Sequence, residues 1–178
     1  MQYKTTLSTA LAACALAVSS SFALASPGHG EKPDIGQVGD VSKIDQVIEV
    51  GMTEMAFDPE EIEIEKGTTV KFIVTNDGRA VHEFNLGTES MWDNHRGEMR
   101  EMMKKGLMTM RKLRHDKMME AGMMHDDANS VLLEPGETAE IIWTFSGEEE
   151  VGFACNVPGH REAGMVGTFK FGDDGVSG

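Results

Sequence analysis

Residues 55–76 read MAFDPEEIEIEKGTTVKFIVTN. Ile62-Glu63-Ile64-Glu65 alternates apolar and charged side chains with period two, as a strand with one buried face requires. Lys66-Gly67 reads as a turn. Val70-Lys71-Phe72-Ile73-Val74 reads as a second strand, closed by Asn76-Asp77-Gly78. Outward from this stretch, residues 47–50 and 55–59 read as extended segments and 81–86 as a short strand. Strands resume at 130–133, then after the turn Glu134-Pro135-Gly136-Glu137 at 138–145, and again at 152–155 and 167–171. About seven or eight short strands with turns between them predict an all-β, antiparallel Greek-key β-sandwich.

Residues 90–127 break the pattern. They lack proline, hold few β-branched residues and are rich in helix formers (EMREMMKK, RKLRHDKMMEA). Lys104-Lys105-Gly106 reads as a helix end. Two helices are expected, at 90–105 and 107–121, as a mainly helical Met-rich insertion between strands.

The ends read differently. Lys4 precedes an apolar run, 7–24, that ends in Ala23-Leu24-Ala25. Residues 1–25 therefore read as a cleaved signal peptide, which implies a periplasmic protein. A rival reading takes Leu11-Ala12-Ala13-Cys14 as a lipobox, although the apolar run before Cys14 is very short. Residues 26–42 (SPGHGEKPDIGQVGDVS) read as a flexible arm, in which His29 is a solvated tail residue rather than a ligand. The domain proper is expected at 43–178. No later stretch is long and apolar enough to span a bilayer. The formal charge of −14 argues against a nucleic-acid partner and favours cations and basic proteins.

Cleavage would leave Cys155 as the sole thiol. Such a thiol in an oxidising compartment is either buried or ligated. Its surroundings, FACNVPGHREAGM at 153–165, space Cys155, His160 and Met165 as C-x4-H-x4-M. A thiolate and two imidazoles in a plane, with a weak axial thioether, select copper and support electron transfer. The loop supplies one histidine. His82, in Val81-His82-Glu83-Phe84 at a strand end, is the best candidate for the second.

Three pieces of the chain resemble the cupredoxins, the type 1 blue-copper proteins such as azurin and plastocyanin. They are 55–76, VHEF at 81–84, and CNVPGHREAGMVGTFKF at 155–171. The resemblance implies one type 1 copper held by His82, Cys155, His160 and Met165, the histidines through Nδ1, with the edge of His160 as the electron route. It also implies no catalytic residues. Two departures stand out. Asn follows the upstream histidine in azurin-like and plastocyanin-like proteins, but here it is Glu83, with an Asn after the cysteine instead (Asn156). Azurin has a glycine where Val81 stands. Glu83 either accepts a hydrogen bond from Asn156, tuning the copper, or points to solvent.

The insertion holds ten methionines between 91 and 124, with His95, His115 and His125 among or just after them. Met91, His95, Met99 and Met102 share one face of the first expected helix. In the second, Leu107, Met110 and Met118 form a core face, and Met108, His115 and Met119 another. Packing is one reading. The other is additional copper binding, with candidates Met91, His95, Met99, Met102, Met108, His115, Met119, Met123 and His125, because thioethers bind Cu(I) without losing a proton. Clusters of Met with His also resemble those of bacterial periplasmic copper-handling proteins. The expected function is copper tolerance, through Cu(I)/Cu(II) cycling and extra copper binding, with a redox or copper-trafficking protein as partner. The alternative is a single-electron carrier that uses the insertion for docking. An enzyme is not expected.

Overall fold

Ile62 and Ile64 are buried and Glu61 and Glu63 exposed, so the period-two pattern sets which face of this strand turns inward. The computed structural model describes residues 33–172. The strands are β1 (Gln37–Val38), β2 (Gln46–Thr53), β3 (Ala56–Asp58), β4 (Glu61–Ile64), β5 (Thr69–Asn76), β6 (His82–Gly87), β7 (Ser130–Leu133), β8 (Thr138–Thr144), β9 (Gly152–Ala154) and β10 (Val166–Phe171). One sheet runs β1-β8-β5-β2-β3 and the other β4-β10-β9-β6-β7. Between them lie the rings of Phe57, Phe72, Phe84, Phe145, Phe153 and Phe169, for example Phe57–Phe153 at 5.1 Å and Phe145–Phe169 at 4.9 Å. These edge-on contacts suit aromatic quadrupoles.

The expectation of a wholly antiparallel sandwich does not hold. β2 pairs with β5 in parallel, and β4 with β10. Parallel neighbours need a crossover. For β2 and β5 the chain provides it by passing through β4, in the opposite sheet.

The expected flexible arm needs a second correction. Residues 1–25, His29 and the rest of 26–32 lie outside the described residues. From Pro33, however, the chain belongs to the compact unit. β1 pairs with β8, Trp143 Nε1 donates to Ile35 O at 2.9 Å, and Gly39 N donates to Ile142 O at 2.9 Å. Glycine here serves close approach rather than flexibility: at Gly36, with φ of +101°, a Cβ would lie 2.2 Å from Thr144 O.

The insertion joins β6 to β7, which are hydrogen-bonded neighbours. Helix α1 (Glu89–Lys104) begins at the cap Thr88, whose Oγ1 accepts from Met91 N, and ends at Gly106 in the left-handed region, φ 67°. The expected helix at 107–121 is a single short helix, α2 (His115–Glu120). Tertiary hydrogen bonds override helix propensity in 107–114. Met110 O accepts from Val81 N at 2.8 Å, Leu113 N donates to Glu134 Oε1 at 2.7 Å, and Thr109 closes a tight turn with Lys112.

The expected faces of the second helix change accordingly. Met108 is buried and Met110 exposed, while Leu107 and Met118 are buried as expected. Met99 and Met102 also join the core. Met91, Met103 and Met123 pack against it, and Met119 and Met124 are exposed. Packing therefore accounts for most of the methionines.

Candidate metal centre

The loop from β9 to β10 brings Cys155, His160 and Met165 together. His160 N donates to Val157 O at 2.9 Å, and a 3-10 turn, Arg161–Ala163, follows it. Gly164 then adopts φ of 100°, which turns the chain back so that Met165 N donates to His160 O and Cys155 N to Met165 O, both at 3.1 Å. The insertion braces this loop. Arg161 contacts Asp93 of α1 and lies over the Trp92 ring at 6.0 Å, and Arg100 reaches Glu162 at 3.7 Å.

His82, Cys155, His160 and Met165 are all buried. Cys155 Sγ lies 3.3 Å from His160 Nδ1 and 4.0 Å from His82 Nδ1, and the two rings are 4.8 Å apart. Metal–nitrogen and metal–sulfur bonds of about 2.0 and 2.3 Å at trigonal angles would separate nitrogen from sulfur by about 3.7 Å. The two observed separations bracket that value, and the His/Cys/His group fits a type 1 copper site. The far ring nitrogens, His82 Nε2 and His160 Nε2, have no hydrogen-bond partner among the described residues. His160 is 1% exposed, so the edge expected to carry electrons is covered.

Electrostatics favours the neutral form of both imidazoles, the form able to bind a metal. Burial, with a smaller contribution from His160, lowers His82 to about 4, and burial lowers His160. Glu54 does not form an ion pair with His82: its Oε1 is 4.0 Å away and accepts instead from the amides of Arg79 and Ala80. Burial pushes the Cys155 thiol up to about 12, although the Glu83 amide donates to its sulfur at 3.3 Å.

Glu83 does not point to solvent: it is fully buried. Its Oε2 accepts from Asn156 N at 3.0 Å and Asn156 Nδ2 at 2.9 Å. Its Oε1 faces His95 Nε2 at 3.1 Å, His125 Nε2 at 2.5 Å and Ser130 Oγ at 2.9 Å. Burial alone would raise this carboxyl, but the hydrogen bonds from His125 and His95 outweigh it and hold it below the usual range. His95 is raised: burial opposes its charge, and the Glu83 carboxylate more than compensates.

Of the insertion's histidines, His95 and His125 thus meet at Glu83, while His115 is exposed on α2. The sequence offered one signal for this cluster: Glu83 lies next to Phe84 in a short strand, and a carboxylate buried there must find partners.

The profile of copper binding proteins of the plastocyanin/azurin family matches residues 44–172. The chain is 44% identical over 156 residues to the copper-resistant cuproprotein CopI of Pseudomonas aeruginosa, covering 82% of this chain and 85% of that protein. It is 36% identical over 140 residues to the protein of the same description from Rubrivivax gelatinosus, covering 78% and 74%. Its fold is similar to that of dithionite-reduced auracyanin from Roseiflexus castenholzii, with a TM-score of 0.51 and 21% identity over 72% of this chain and 98% of that one.

Proposed function

Because the chain belongs to the plastocyanin/azurin family of copper-binding proteins, with copper as its cofactor, we propose that it is a periplasmic copper-tolerance protein. His82, Cys155, His160 and Met165 hold a type 1 copper, and the insertion takes further copper. Bound there, copper supplies one-electron exchange between Cu(I) and Cu(II). The residues of the chain do the rest. Cys155 gives up its proton to become a ligand. His82 and His160 are neutral near pH 7 and present Nδ1 to the sulfur side. Met165 ends the loop, its amide donating to His160 O. Burial excludes water, and Glu83 fixes the cysteine loop through Asn156.

The observation that carries this reading is the convergence of two imidazole Nδ1 atoms on one buried thiol, in a chain resembling copper-resistance proteins over most of its length. Tolerance then follows from holding copper and from cycling Cu(I) to Cu(II), with the electron passing to a redox partner protein.

A second reading, a plain electron carrier, is favoured by the exposed Met110, Met119 and Met124, which suit adaptable docking. The buried His160 weighs against it. Growth in copper separates the two. A strain lacking the gene should become copper-sensitive and be rescued by the wild-type gene but not by Cys155→Ser. Unchanged copper tolerance in the deletion strain would leave the carrier reading.

A further inference from the structure

We infer that Glu83, His95 and His125 form a second metal centre, which binds divalent copper and shares Glu83 with the loop of the first. Adjacent residues of a strand point to opposite faces. His82 turns to the cysteine and Glu83 to the insertion, where α1 supplies His95 and the segment after α2 supplies His125. One ligand atom from each of the three lies within 4.8 Å of the other two. The imidazoles stack at 5.0 Å and 29°, both presenting Nε2 to the same carboxylate oxygen.

Two observations point to an ion rather than to a hydrogen-bonded cluster. Oε1 faces four donors, His95, His125, Ser130 and Asn85, the last at 3.3 Å, but a carboxylate oxygen has two lone pairs. A cation shared by Oε1 and the two Nε2 atoms resolves the crowding. Further, each far ring nitrogen faces its own carboxylate: His95 Nδ1 lies 3.3 Å from Glu98 and His125 Nδ1 3.7 Å from Asp127. That is the arrangement in which a metal-bound imidazole donates its other N–H to a carboxylate. Two imidazoles and a carboxylate form a harder set than thiolate and thioether. Such a set favours Cu(II) over Cu(I) and, among divalent first-row ions, binds copper most tightly.

The centres are linked through the chain. Glu83 Oε2 holds Asn156, and the Glu83 amide holds the Cys155 sulfur. A cation at Oε1 offsets the negative charge near that sulfur, which favours reduced copper in the first centre. Occupancy of the second centre therefore raises the potential of the first.

This inference rests on the reading of the insertion as copper-binding, and the experiment separates the two. Wild type and His95→Gln/His125→Gln, which keeps N–H donors toward Glu83, are loaded with Cu(II). Bound copper, the visible band, the electron paramagnetic resonance spectrum and the potential of the first centre are then measured. Support would be a variant that keeps the thiolate-to-copper band but loses one copper equivalent, the normal Cu(II) signal and the upward shift of potential with the second equivalent. A variant keeping its full copper count and that signal would overturn this centre and leave copper handling intact. A single copper in the wild type would overturn both. If the variant loses its band as well, pulsed resonance on the wild type decides. Remote nitrogens of two imidazoles on the normal Cu(II) signal support the centre, and fewer than two overturn it.

Discussion

Copper entering the proposed centre must expel a proton from Cys155. With the thiol at about 12, five units above pH 7, forming the thiolate costs roughly 7 kcal/mol at about 1.4 kcal/mol per unit. The imidazoles add nothing near neutrality, because His82 is lowered to about 4 and His160 is lowered as well. Cu(I) affinity should therefore rise about tenfold per pH unit, with one proton released per copper. An ordinary thiol, at about 8.5, would lose that slope above pH 8.5. Here the slope should persist to about pH 10. Anaerobic competition of one equivalent of Cu(I) against a chelator, from pH 6 to 10, measures it. A curve that flattens near pH 8.5 would refute the buried, protonated thiol.

Copper-free protein should lose stability in acid. The folded pKa of His82 is depressed, so its contribution is present above about pH 6.5 and is lost as pH falls toward 4, roughly 3 kcal/mol in all. The lowered Glu83 acts in the same direction. Equal urea midpoints at pH 7 and pH 4 would contradict this. Glu83→Gln removes a buried charge from its partners and should cost about 3–5 kcal/mol in chemical denaturation. It should also raise the potential of the first centre, and an unchanged voltammogram would count against the role assigned to the Glu83–Asn156 pair. Met99→Ala, in the core, should cost about 2–5 kcal/mol and leave the thiolate-to-copper band in place. Met119→Ala, on the surface, should fall within about 0.5 kcal/mol; equal effects on stability would refute the division of the methionines into packed and exposed.

Elements governed by local periodicity were legible in the sequence. Ile62 and Ile64 predicted their strand, and the helix formers before Gly106 predicted α1 to within a residue. Elements governed by distant partners were not. The parallel pairings depend on which strands become neighbours within each sheet. The 107–114 segment obeys Val81 and Glu134 rather than its own helix propensity. The C-x4-H-x4-M spacing marks the loop residues that surround Cys155, because a short loop can bring them to one point. His95 and His125 lie 12 and 42 residues from Glu83, and no local pattern announces their meeting. The insertion also proved to be part of the core, through Met99, Met102, Met108 and Met118. Removing it whole would test folding rather than copper binding, so point substitutions are required.

The most direct measurement is the visible spectrum of the copper-loaded protein beside its Cys155→Ser variant. An intense thiolate-to-copper band in the wild type that vanishes in the variant is the predicted result. No band in the wild type, or a band that survives the substitution, would contradict a type 1 centre at Cys155.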